Sequence, residues 1–320
     1  MAAYQATPDG LCRTWRSDGG RTARLEAENA GAVTLDISQI SRLGFGVSGP
    51  HGSHFFWKRQ TIRLIREAVE LGVTVFDTAP FYRDDLAGLQ DSLAELRLGQ
   101  AIRSSERERL ILTTKIGAKS LAKQDFSPQA IEDSLNASLQ RLATDYVDVL
   151  FVQGVARYTW TDPQITKLEN LVASGKVRTI GLSGRGSELD AAFDRDIFTT
   201  VMAPVHVSLM PDELERLKKL RDTGRIIFGI ESLFGTIRST NPQLSYASLW
   251  YLARRLGRHM RPANAPVLHA LPDPPVSPAD AFKFALDDVH AHCVLTLTTK
   301  SAHLRANAQM AGLDAGHGRA

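Results

Sequence analysis

A chain of 320 residues, 43% of them hydrophobic, is long enough for one large domain or two small ones. The net charge is only +3, and the basic residues are scattered with no interleaved aromatics, which argues against nucleic-acid binding. Two cysteines, Cys12 and Cys293, make neither a disulfide framework nor a zinc-ligand spacing. No apolar run approaches the ~20 residues of a membrane helix, and the N-terminus lacks the apolar core of a signal peptide. The expectation is a cytoplasmic protein with no membrane partner and no metal.

Residues 1–30 are polar and aperiodic and read as a loosely ordered extension. Residues 31–312 read as one domain, and 313–320 as a tail. Two short apolar stretches, 33–37 and 39–46, flank a polar break and suggest a small N-terminal β-hairpin running into a first buried strand at 43–47. A helical pattern over 58–71 puts Ile62, Ile65 and Val69 on one face, and Gly72 stops it. The strand Val73-Thr74-Val75-Phe76 follows and ends on the carboxylate of Asp77, with Tyr82 five residues on, past Pro80.

The alternation then repeats. Helices are expected over 92–104, 128–142 (entered through Ser127-Pro128), 162–174, 188–193, 211–223, 245–256, 279–288 and 301–311. Strands are expected over 110–114, 146–152, 177–182, 199–203, 225–230 and 293–298. Four successive strands end on polar side chains: Asp77, Lys115, Gln153 and Ser183. Eight short apolar strands separated by amphipathic helices predict an α/β protein with a closed (β/α)8 TIM barrel. No Gly-rich dinucleotide fingerprint follows any strand, which counts against an open doubly wound sheet. In such a barrel the strand C-termini meet at one mouth, so the four polar tips converge there with Tyr82 above them.

The stretches F-D-T-A-P-F-Y at 76–82, L-T-T-K at 112–115, S-L-N-A-S-L-Q-R-L-A-T-D-Y-V-D-V-L at 134–150 and G-K-V-R-T-I-G-L-S at 175–183 occur in this order with a weaker H-L-R-A-N at 303–307. In that combination the chain resembles the aldo-keto reductase family over about residues 33–311. The resemblance implies a small-molecule carbonyl substrate and an extended nicotinamide cofactor, NADP(H) ahead of NAD. It assigns catalysis to Asp77, Tyr82 and Lys115. The chemistry agrees: a carbonyl accepting hydride needs a proton at its oxygen, and a nearby ammonium tunes a phenol to give it.

Departures from the family pattern are as informative. Gln153 stands where the family has a catalytic histidine; its amide still donates to a carbonyl but does not titrate. The Ser-Asn pair that holds the nicotinamide amide reads Ser183-Gly184, a strand-six Gln falls on Met202, and the stacking aromatic falls on Ile230 or Glu231. Near the C-terminus, a family Lys falls on Leu297 and an Arg on His303. The remaining expected cofactor contacts are Ser183, Glu231, Ser232, Thr298, Thr299, Lys300, His303 and Asn307. His54, or His51, could stand in for the missing imidazole, and His54 and Trp57 are expected to line the substrate pocket. Two alternatives stay open: a non-redox isomerase, lyase or cyclase on the same barrel, and a non-catalytic barrel. Oligomeric state is not legible.

Overall fold

A computed structural model describes residues 35–54, 56–82, 92–103, 105–117, 125–154, 160–234, 236 and 272–313. The expected extension at 1–30, the helix at 245–256 and most of the tail at 313–320 lie outside the described residues.

Eight parallel strands close into one barrel in sequence order: β1 (Leu43–Gly46), β2 (Val75–Asp77), β3 (Ile111–Ile116), β4 (Val147–Gln153), β5 (Val177–Ser183), β6 (Phe198–Pro204), β7 (Ile226–Ile230) and β8 (Cys293–Thr296). β8 pairs with β1 to complete the ring. The described helices are α1 (Lys58–Glu70), α2 (Leu93–Ile102), α3 (Pro128–Leu142), α4 (Asp162–Ala173), a short α5 (Ala191–Asp194), α6 (Pro211–Asp222), α7 (Pro278–Lys283, continued by a π turn to Asp288) and α8 (Ser301–Met310). Each is set by local signals. α1 buries Thr61, Leu64, Ile65 and Ala68, the spacing of one helical face. α3 opens on Ser127, whose hydroxyl accepts from Ala130 N–H, with Pro128 in its first turn. α4 opens on Thr161, whose N–H donates to the Gln164 side chain at 2.8 Å.

Strand periodicity divides the core in two. Val75, Ile111, Val149, Phe151, Met202, Phe228, Cys293 and Leu295 point inward and form one cluster. Leu43, Phe45, Phe76, Leu112, Leu150 and Leu182 point outward and pack under the helices. The inner space is filled to contact: a Cβ at Gly181 would fall 2.6 Å from the Phe151 ring, so the glycine is what lets that phenylalanine cross the barrel.

The N-terminal hairpin expected over 33–46 does not form among the described residues. Asp36 accepts from both the N–H and the hydroxyl of Ser38, which closes a 3-10 turn at Ile37–Gln39 in place of a strand. Leu35 and Ile40 on either side of the turn join the inner cluster. Of the two stretches, only 43–46 is a strand, and it belongs to the barrel.

Candidate active site

The inward series of each strand ends at the mouth in a different side chain. Val75 is followed two residues on by Asp77, Thr113 by Lys115, Phe151 by Gln153 and Gly181 by Ser183. The pairings Asp77↔Thr113, Lys115↔Phe151 and Gln153↔Ser183 place these tips around one arc of the rim. The convergence expected from strand ends is thus the observed one.

Lys115 is 2% exposed, and its ammonium donates to Asp77 Oδ1 at 2.5 Å and to the Thr78 carbonyl at 3.0 Å. Asp77 also accepts from Thr113 Oγ1 at 2.6 Å, so its carboxylate is held from two sides. Tyr82 stands on the turn after β2, where its N–H donates to the Ala79 carbonyl at 3.1 Å. Lys115 Nζ lies 5.2 Å from the Tyr82 ring centroid and hydrogen-bonds its side chain. Burial pulls the Lys115 pKa down and is the largest single influence, but the Asp77 carboxylate and the Tyr82 oxygen together outweigh it and hold the pKa above its ordinary value. An ammonium that stays charged while fully desolvated, with a phenol against it, is an arrangement that favours oxyanion character on the phenol.

Gln153, at the tip of β4, is half-buried. Its Oε1 is out of reach of solvent and has no hydrogen-bond partner. Such an orphan acceptor costs about 1–3 kcal/mol relative to a satisfied one.

The expected cofactor residues fall in two groups. Around β5–β7, Ser183 is buried at its strand tip, and Ser232 Oγ is buried without a partner. Ile230, the last residue of β7, packs on the inner cluster. Glu231 turns away at φ 59 and its carboxylate meets Arg185 at 2.5 Å. At Gly184, a Cβ would fall 2.7 Å from both Cβ and Oε2 of Glu188, whose carboxylate accepts from Arg185 N–H at 2.7 Å. Glu188 therefore occupies the room a side chain at 184 would need.

Around β8 and α8, Thr298 is buried and its hydroxyl accepts from Lys300 N–H at 3.1 Å, while the Thr299 carbonyl accepts from Gln60 Nε2 at 3.0 Å. Lys300 and His303 are exposed at the start of α8. Asn307 is buried and donates to Thr296 Oγ1 at 3.2 Å, tying α8 to β8. These residues fit an extended dinucleotide. The unpartnered Ser232 hydroxyl can bond it at one end. At the other, the first-turn amides of α8 have no carbonyl one turn back and lie beside the Lys300 charge.

The β1–α1 loop differs from expectation in detail. His51 is fully buried. Its Nε2–H donates to the Thr298 carbonyl at 3.0 Å, and its Nδ1 accepts from Thr61 Oγ1 at 3.1 Å, so neither nitrogen is left for a substrate. Arg97 fixes the same loop by donating to the carbonyls of His51 (2.7 Å) and Phe56 (3.0 Å). Burial pushes the His51 pKa to about 4, opposed by the Thr298 bond and reinforced by the Arg97 charge. His54 is exposed, as is Trp57 at 77%. Trp160 packs in the core against Phe126 and Phe198.

Sequence reasoning missed the roles of Thr113, Thr78, Gln60 and Glu188. Thr113 has a legible signal, lying two residues before Lys115 on the same inward face. Thr78 and Gln60 are set by contacts between distant segments, and Glu188 by a local turn around Arg185. Among the described residues, no group of three or more His, Cys, Asp or Glu could hold a metal ion, and no helix is long and apolar enough to cross a membrane.

A family model described as the aldo/keto reductase family matches residues 42–255. Over 186 residues the chain is 32% identical to the L-galactose dehydrogenase of Arabidopsis thaliana, covering 56% of this chain and 52% of that one. Over 169 residues it is 30% identical to the NADH-specific methylglyoxal reductase of Escherichia coli, covering 46% and 49%. The chain thus spans about half the length of the curated relatives it matches. Among solved structures, the holo form of an aldo-keto reductase from Bacillus halodurans superposes with a TM-score of 0.61 at 23% identity, over 85% of this chain and 86% of that one. An aldo-keto reductase from Klebsiella pneumoniae, in complex with NADP and acetate, gives 0.58 at 21% identity over 85% and 86%. At these identities the structural likeness speaks to the fold alone. A match over most of the barrel, joined to the Asp77–Lys115–Tyr82 cluster at its mouth, means that the chain belongs to the aldo/keto reductase family.

Proposed function

We propose that this protein is an NAD(P)H-dependent oxidoreductase that interconverts a small-molecule carbonyl compound and its alcohol. The observation that carries the reading is the buried Lys115 ammonium held between the Asp77 carboxylate and the Tyr82 phenol. A nicotinamide, when bound, supplies the hydride in reduction and takes it up in oxidation. The residues do the rest. Tyr82 delivers its phenolic proton to the carbonyl oxygen and recovers it in the reverse direction. Lys115 stabilises negative charge on the phenol oxygen, and Asp77 fixes the ammonium in place with Thr113 behind it. Gln153 orients the carbonyl oxygen by a single amide hydrogen bond in place of an imidazole.

Ser183 and Ser232 would hold the nicotinamide end, with the Glu231 backbone alongside. Thr298, Thr299, Lys300 and His303 would hold the adenosine end, with Asn307 setting the position of their helix. The Lys300 charge beside the α8 N-terminus favours a phosphorylated adenosine and hence NADP(H) over NAD(H). His54 and Trp57, on the β1–α1 loop, are proposed to contact substrate. We place the protein in the cytoplasm.

The test is fluorescence titration of purified protein with NADPH and NADH, paired with Tyr82→Phe. The reading expects saturable binding of NADPH, and a Tyr82→Phe variant that binds as well but turns over about 10²–10⁴-fold more slowly. No binding of either nucleotide, or unchanged turnover in the variant, would overturn it.

A further inference from the structure

Two neighbouring peptide groups in the β8–α8 connection are held from the α1 side of the barrel. The Thr298 carbonyl accepts from His51 Nε2 at 3.0 Å, and the Thr299 carbonyl accepts from Gln60 Nε2 at 3.0 Å. The buried His51 ring is itself fixed: Thr61 meets its other nitrogen at 3.1 Å, and Arg97 pins the His51 carbonyl at 2.7 Å. A trans peptide points its N–H opposite to its carbonyl. With the Thr298 carbonyl turned to His51, the Thr299 N–H is turned away from the α1 side, and it has no acceptor among the described residues. With the Thr299 carbonyl turned to Gln60, the Lys300 N–H is turned the same way and donates to the Thr298 hydroxyl at 3.1 Å. That bond closes the turn that sets Lys300 at the start of α8.

The geometry points to His51 and Gln60 as positioning residues for the nucleotide: neither touches it, and together they aim the Thr299 N–H and Lys300 at the adenosine phosphate and so set the preference for NADP(H) over NAD(H). The inference rests on the oxidoreductase reading above and deepens it. The phosphate that distinguishes the two nucleotides is an anion, and a backbone N–H and an ammonium bond it strongly only while both face it. A connection released from its two carbonyl anchors spreads over other conformations, and affinity falls with the fraction of the time the binding form is populated. The part of the nucleotide that NADH shares is held elsewhere along the mouth and is much less affected. Binding is thus divided between groups that bond, at the start of α8, and groups that aim them, on α1 and the loop before it.

The experiment is fluorescence titration of the full-length protein with NADPH and with NADH, joined to initial rates at varied NADPH. Gln60 is only half-buried, so Gln60→Leu is expected to fold. It should raise the Kd for NADPH about fivefold or more, as the loss of one hydrogen bond does, and leave the Kd for NADH within about twofold. The kinetic loss should fall on KM for NADPH more than on kcat. His51→Leu is expected to act in the same direction, while His51→Gln, which keeps a donor toward Thr298, should retain most of the preference. Unchanged NADPH affinity in Gln60→Leu, equal weakening of both nucleotides, or a wild type that binds NADH as tightly as NADPH would overturn the inference and leave the oxidoreductase reading standing. A wild type that binds neither nucleotide would overturn both.

Discussion

Two buried polar clusters lie at the same end of the barrel, and they are built on opposite principles. At the β8–β1 seam, His51 is neutral and spends both nitrogens on protein, between Thr61 and the Thr298 carbonyl, with Gln60 and Arg97 stitching the same loops. At the β2–β5 arc, a charged lysine is buried against a charged carboxylate, a phenol is drawn toward it, and the neighbouring glutamine oxygen is left unpaired. The seam is a satisfied network that fixes where the Thr298–Lys300 loop lies. The arc leaves the Gln153 oxygen unpartnered, at a cost in stability.

The sharpest way to break this comparison is Lys115→Met. Removing the ammonium strands the Asp77 carboxylate in the interior, which is expected to destabilise the fold by about 3–5 kcal/mol and to reduce turnover of refolded protein by orders of magnitude. Denaturant unfolding and initial rates would read the two effects. A fully stable variant would mean that Asp77 has another partner.

The seam makes a pH prediction of the opposite kind. The His51 pKa is lowered from 6.5 to about 4 by folding, so the unfolded chain binds more protons between those values. The contribution of the neutral imidazole is fully present above pH 6.5 and is lost as pH falls toward 4. On the order of 3 kcal/mol is at stake. Urea unfolding at pH 7 and pH 4.5 should show that slope, and His51→Gln should flatten it without touching the arc. An unchanged slope in the variant would assign the acid sensitivity to other groups.

A smaller effect is expected from Thr113→Val, which takes one hydrogen bond from Asp77 and keeps the shape. The loss should be about 1 kcal/mol in stability with a measurable shift in the pH profile of kcat, since the lysine–carboxylate pair loses its second anchor. The smallest is Arg185→Ala. Its ion pair with Glu231 is more than two-fifths exposed on each side, so unfolding free energy should change by less than about 1 kcal/mol. A larger loss would mean that this pair braces the β5 and β7 tips.

How much of this was legible depends on the range of the interaction. The barrel could be read because each βα unit is specified within its own stretch: α1 by the apolar spacing of Ile62, Ile65 and Val69, although the face actually buried is centred on Thr61, Leu64, Ile65 and Ala68 with Ile62 and Val69 at its edge, and α3 by Ser127-Pro128. The hairpin was misread because the same short apolar stretch suits a strand or a turn, and the Asp36–Ser38 hydrogen bonds tip it toward the turn. The mouth residues Asp77, Lys115, Gln153 and Ser183 could be found as polar strand ends, and their convergence follows from barrel closure.

By itself, then, the sequence determined the eight-fold alternation, the polar tips of β2–β5 and the phenol beyond β2, since these rest on period, caps and strand ends encoded locally. Only the tertiary structure decided that His51 is used up in the seam, that Glu188 fills the room beside Gly184, and that Gln153 Oε1 has no partner. The His51 bond to Thr298 joins segments far apart in the chain and exists only once the ring has closed; the Glu188 contact is local, and its place beside Gly184 follows from how the turn after β5 folds.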